Sequence, residues 1–288
     1  MTRGLFHKAI VESGSGAQLT TLRAAEAAGE ELVKRMGLDD GPNLLAALRA
    51  KSWPDVPDAL NYRGGPVLDG YAFPEHPRDA WARGGQHNVP LIVGYNLHEA
   101  TFFTARDGEL PQTIAAYEQS VRQRFGKDAD RVLALYPAKT DDQAYWAEIA
   151  IRTDLRMGLS ARQQLRGWFG VSAKTWAYHF SYLPEASRDS RRGVSHAAEL
   201  AYVFGTVPAT SDQATRDASE AIMKYWTQFA KTGDPNQTRL PAWPAFAKGR
   251  ESYLELGRTI QAGQDLNKTK LDLFEAAQRE RATTTAAR

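Results

Sequence analysis

The chain has 288 residues and a formal net charge of +2, with 42% hydrophobic and 24% charged residues and no cysteine. That composition is the one expected of a globular protein. The absence of cysteine excludes disulfides and thiolate chemistry, and interleaved acids and bases at so small a net charge argue against a nucleic-acid partner. No apolar stretch reaches the length needed for a membrane-spanning helix, and MTRGLFHKAI is too short in its apolar part for a signal peptide, which leaves the compartment open.

Phe6 to Val11 is a short apolar run closed by Ser13-Gly14-Ser15-Gly16, the pattern of a buried strand ending in a turn. Leu22, Ala25, Gly29, Leu32, Val33 and Met36 recur at helical spacing up to Gly37, and Pro42 opens a second helix carrying Leu44, Leu45 and Leu48. Ser52 to Gly85, rich in Pro, Gly and Asp, is expected to be a long irregular loop. Val89 to Gly94 is the clearest buried strand, followed by a polar loop from Asn96 to Glu99. Pro111 to about Gly167 is helical in pattern, an insertion or lid between strands. Lys174 to Tyr182 alternates with aromatics and predicts a strand, with His196 beyond the next loop. Ser219 to Lys231 is amphipathic, and Ser252 to Leu256 is expected to be the last strand. Residues 1–266 are expected to form one partial domain, and residues 267–288 a charged C-terminal helix and tail.

Strands alternating with helical blocks imply an α/β protein with a mostly parallel, helix-covered sheet, in which reactive groups gather at the carboxyl ends of the strands. Two loops there carry chemistry, one with Glu99 and one with His196. A carboxylate can fix the tautomer of an imidazole whose other nitrogen takes a proton from a serine. Taken singly, His196 fits better a loop histidine bonded to backbone, and Glu99 a solvated loop acid.

The segments GLFHKAIVESGS (4–15), GPVLDG (65–70), VPLIVGYNLHEATFF (89–103), KTWAYHFSY (174–182), GVSHAAELAYVFG (193–205) and YWTQFAKTGDPN (225–236) together resemble the carboxylesterase type B family of para-nitrobenzyl esterases, carboxylesterases and cholinesterases. The resemblance implies an α/β-hydrolase fold, a Ser-Glu-His triad, a small carboxylic ester as substrate and no metal or organic cofactor. Glu99 matches the acid of the family's Asn-x-x-Glu-Gly segment and His196 the base of its His-Gly-x-Glu-Leu segment. Phe102 and Phe103 match aromatics that line the acyl or alcohol pocket, although core packing explains them as well. Ala100 and Ala197 stand where the family has glycine, a change that is harmless unless the backbone needs positive φ or very close approach.

The family's nucleophile lies in a Gly-Glu-Ser-Ala-Gly elbow one strand before the segment that here begins at residue 4, and the chain contains no Gly-x-Ser-x-Gly. Ser13 and Ser15 lack glycines at both flanking positions and are expected to be turn residues. The expectation is therefore a fragment of a carboxylic ester hydrolase, inactive alone, whose serine lies in an upstream segment that would be its partner. The rival is a non-catalytic esterase-like adhesion or binding module, which would need neither Glu99 nor His196. Three side readings complete the set. His98 with His76 and His87 fits no metal motif and is expected to be an exposed loop residue. Glu199 competes with Glu99 for the acid role but lies only one helical turn from His196. Asp154 and Arg156 are expected to form a surface ion pair or cap.

Overall fold

The computed structural model describes residues 2–14, 19–39, 41–52, 54–56, 65–104 and 110–286. It divides into two compact units. The smaller, spanning residues 16–83, holds a parallel pair formed by β2 (Thr20–Thr21) and β3 (Val67–Leu68), followed in the chain by α3 (Pro77–Ala82). It also holds α1 (Leu22–Arg35), whose Thr21 cap accepts from the Ala24 amide, and α2 (Leu44–Arg49). The long loop expected from Ser52 to Gly85 thus contains β3 and α3. Pro77 opens α3, where its missing N–H costs nothing, and the His76 ring accepts from the Arg78 amide.

The larger unit is built on a five-stranded sheet in the order β1 (Ala9–Glu12), β4 (Leu91–Asn96), β5 (Thr175–Phe180), β6 (Ser252–Leu256) and β7 (Ile260–Gln264). The first four are parallel and β7 returns antiparallel. Every residue of β4 and β5 is buried, as expected of central parallel strands covered on both faces. The strand at Ser252 is not the last. β7 escapes the sequence pattern because it is a partly exposed edge rich in Gln and Gly.

Each face of the sheet has its own cover. Ile92, Trp176, Tyr178, Phe180, Leu254 and Leu256 pack on Ile222, Tyr225, Trp226 and Phe229. Those four recur at helical spacing on α9 (Gln213–Thr232), which Asp212 caps by accepting from the Thr215 amide and Gly233 ends at φ +81°. Burying each such side chain contributes about 1.5–3 kcal/mol. The opposite face packs on α7 (Leu159–Gly167). Between β4 and α7 lies the helical block: α4 (Ile114–Phe125), α5 (Ala129–Leu135), α6 (Asp141–Thr153) and a π-helical turn over Asp154–Gly158. Its core of Tyr117, Val121, Val132, Tyr136 and Ile151 is completed by Leu271 and Phe274 of α10 (Lys268–Ala286), so the charged C-terminal helix is packed into this unit.

Candidate active site

Glu99 and His196 converge although 97 positions separate them: His196 Nδ1 lies 2.6 Å from Glu99 Oε2. Each is delivered by the carboxyl end of a central strand. β4 ends at Asn96 and turns at once into a short 3-10 helix, Glu99–Phe102, at whose start Glu99 sits fully buried. His196 arrives on the loop that follows β5 and precedes α8 (Leu200–Val203).

A buried carboxylate is costly unless donors surround it. Glu99 has three. Oε1 accepts from the Asn96 amide at 2.7 Å and from the Ser13 hydroxyl, and Oε2 faces His196 Nδ1. Glu99 raises the pKa of His196 above the ordinary histidine value, chiefly through that hydrogen bond, against the opposing effect of burial. With the Nδ1 proton directed at Glu99, Nε2 is the nitrogen free to act as a base. Glu199, the rival acid, is buried beside the pair but accepts from Asn96 Nδ2, and burial raises its pKa.

The two aromatics differ. Phe103 is buried at 8% exposure, whereas Phe102 is 50% exposed, and both rings flank His196, with centroids 5.1 and 5.4 Å from it. The Arg156 guanidinium lies 4.3 Å over the Phe103 ring. The expectation of a surface pair for Asp154 and Arg156 is therefore corrected. Asp154 is buried at the C-cap of α6 and accepts from the Tyr136 hydroxyl and from Asn267.

The serines at the end of β1 also divide. Ser13 follows the strand directly, with φ +59°, and its hydroxyl is spent on Glu99, whereas Ser15 lies outside the described residues. Ala197 holds φ +67°, which explains why a glycine suits the position after the base. Ala100 has no such need. It lies in the 3-10 turn, packed on Tyr145 and Ile149, with its amide donating to Thr153.

His98 overturns its sequence reading. It is not an exposed loop histidine: its ring packs on Trp146, accepts from the Val194 amide at Nδ1, and burial lowers its pKa to about 4. His76 caps α3, and His87 meets Thr2 and Phe6. A pocket lies elsewhere, lined by Val93, Tyr95 and Tyr253 of the sheet and by Arg162 and Leu165 of α7.

Sequence reasoning missed Ser13 and Asn96 as partners of Glu99, and the bond between the His98 ring and the Val194 amide. Asn96 alone carried a signal, as the first residue of the Asn-x-x-Glu segment.

Comparison with known proteins agrees with this architecture. The sequence model of the Carboxylesterase family matches residues 1–274. Carboxylesterase 5A of Canis lupus familiaris is 29% identical over 306 residues, an alignment covering 95% of this chain and 52% of that protein. Fumonisin B1 esterase of Sphingopyxis macrogoltabida is 26% identical, with 92% of this chain and 51% of that protein covered. A solved PNB esterase superposes with a TM-score of 0.74 at 24% identity, over 93% of this chain and 57% of its own, a likeness that establishes the α/β-hydrolase fold. The chain spans about half the length of the curated relatives it matches.

Proposed function

The chain belongs to the carboxylesterase family, and from that premise we propose that it carries the acid and base of a Ser-Glu-His ester hydrolase whose serine comes from a segment outside this sequence. The observation that carries the reading is the 2.6 Å contact between His196 Nδ1 and a Glu99 carboxylate that is fully buried. His196 Nε2 takes the proton of the attacking serine and gives it to the departing alkoxide. The acyl-serine is then hydrolysed by water, activated by the same nitrogen. Glu99 holds the ring in one tautomer and stabilises the imidazolium formed at each proton transfer. Phe102 and Phe103 give the acyl or alcohol group of a small ester an apolar wall beside the base. This acyl transfer calls on no metal or organic cofactor.

Two facts support a nucleophile from elsewhere. No Gly-x-Ser-x-Gly occurs in the sequence, and Ser13, directly after the chain's first strand, donates its hydroxyl to Glu99 instead of meeting His196. The test is made in the enzyme completed with its serine-bearing segment, using an activated aryl ester. His196→Ala lowers turnover by about 10⁴-fold or more, and Glu99→Gln lowers it to a smaller extent. Normal turnover in a folded His196→Ala enzyme refutes the reading.

A further inference from the structure

We propose that His98 is a positioning residue for the Glu99–His196 pair: it clips the loop bearing the base onto the loop bearing the acid. This rests on the triad reading above, and concerns how the pair is held.

The two loops are laced by the side chains that follow β4. Asn96 Nδ2 donates to the Ser195 carbonyl at 2.9 Å, and the Thr101 hydroxyl lies 2.8 Å from the Arg192 carbonyl and 2.9 Å from Ser195 Oγ. His98 makes the one reciprocal link among them. Its amide donates to the Val194 carbonyl at 2.9 Å, and its ring Nδ1 accepts from the Val194 amide at 3.0 Å. Val194 is itself buried in the main core, at 1% exposure, so the clip joins two fixed points. Glu99 is the residue after the clip on one side, and His196 is two residues after it on the other. A displacement of the Val194 backbone therefore passes directly into a contact of 2.6 Å.

Two further features fit this role. An acceptor at Nδ1 requires the neutral ring, with its proton on Nε2. The ring is packed at 4.5 Å from Trp146, and the nearby His179 also disfavours a charge there. Gly193, at φ +55°, lies so close that a Cβ there would overlap His98 Nδ1 and approach Trp146 to 3.1 Å. The base loop reaches His98 only because residue 193 has no side chain.

The test follows the His196 ring by NMR in the chain paired with its serine-bearing segment. Two signals are read: the low-field Nδ1–H proton of the hydrogen bond to Glu99, and the titration midpoint of the ring. Glu99, Glu199 and Arg156 are the charges that act on that midpoint. In wild type the low-field proton is present and the midpoint lies above the ordinary histidine value. His98→Leu removes the acceptor; the expected result is loss of the low-field proton and a downward shift of the midpoint. His98→Asn supplies a carbonyl oxygen near the place of Nδ1 and restores both, whereas Gly193→Ala reproduces the leucine result. Retention of both signals in His98→Leu, or failure of His98→Asn to restore them, overturns the role of His98 while leaving the triad reading intact. Absence of the low-field proton in wild type overturns the triad reading, and this proposal with it. If His98→Leu lacks a native amide spectrum, the comparison of His98→Asn with Gly193→Ala decides: signals kept in the first and lost in the second support the clip, and any other pairing overturns it.

Discussion

Ala197 bears a cost that its side chain does not return. A non-glycine residue in the left-handed region is disfavoured by about 1–2 kcal/mol, and Ala197 sits there at φ +67°. Ala197→Gly should therefore raise the urea midpoint by the equivalent of roughly 0.5–1 kcal/mol, the gain being partly offset by the entropy of the unfolded glycine. An unchanged or lowered midpoint would show that the methyl earns its place. The two histidines beside it respond to pH with opposite signs. The pKa of His196 is raised by Glu99, so its stabilising contribution is fully present below the unfolded value near 6.5 and fades as pH rises through the folded one. The pKa of His98 is lowered to about 4, so its contribution is fully present above about 6.5 and is lost as pH falls toward about 4. Denaturation between those limits should show a loss of about 3 kcal/mol that is absent in His98→Asn. An acid limb of equal size in that variant would assign the loss to other groups. Glu99 and His196 were singled out because the segments around them resemble the family's Asn-x-x-Glu-Gly and His-Gly-x-Glu-Leu segments, each beyond a strand with a clear apolar pattern. Ser13 and His98 could not be, because their bonds reach 86 and 96 positions along the chain and leave no periodic trace.

Among the elements, β4 shows how a small shift of boundary matters. The sequence pattern places the strand at Val89 to Gly94, but Pro90 has no amide to give a ladder and its carbonyl instead receives the Ala9 amide. The strand runs Leu91–Asn96, which carries Asn96 into the sheet and starts the acid turn two residues later. Long apolar elements were legible because their period is imposed by burial: β4, β5, β6 and α9 all appear near their expected places. The rest was not, for identifiable reasons. β7 is partly exposed and α3 is six residues long, while the π-helical turn keeps a helical pattern and differs only by one extra residue per turn. Gly94 was legible only as the end of a strand, yet its lack of a side chain is required by packing. A Cβ there would overlap the ring of Tyr178 on β5, which is itself held against Trp226 at 5.3 Å. Gly94→Ala should cost about 3 kcal/mol, because neither the central strand nor the buried ring can move aside. A measured loss under 1 kcal/mol would mean that β4 and β5 can slide locally, and would weaken any claim that the acid loop is rigidly carried.

For the molecule as a whole, the decisive feature is the flank of β1. Within the described residues, one side of this strand pairs with β4 and no strand pairs with the other. Parallel sheets are ordinarily covered, and an open edge with apolar neighbours is a template for pairing with another chain. Ile10 on β1 is partly buried against the main core, while Leu5 is 77% exposed, Phe102 beside His196 50% and Phe204 71%. An unpaired strand edge and exposed apolar side chains both call for a partner surface. The proposed triad also calls for a serine, and a segment that carried the serine and paired with β1 would answer both needs. The chain by itself should therefore self-associate in light scattering and leave every serine, Ser13 included, unmodified by a fluorophosphonate. Ser13 is a poor target because it is buried and its hydroxyl is donated to the Glu99 carboxylate rather than to the base, His196. Adding the serine-bearing segment should give a single species of defined mass that takes up one equivalent of probe, on a serine of the added segment. A slow hydrolysis of activated esters by the lone imidazole is compatible with this outcome, which is why covalent labelling, rather than turnover, is the measurement that discriminates. A monodisperse monomer of the chain alone that labels stoichiometrically at one of its own serines would overturn both the open edge and the external nucleophile.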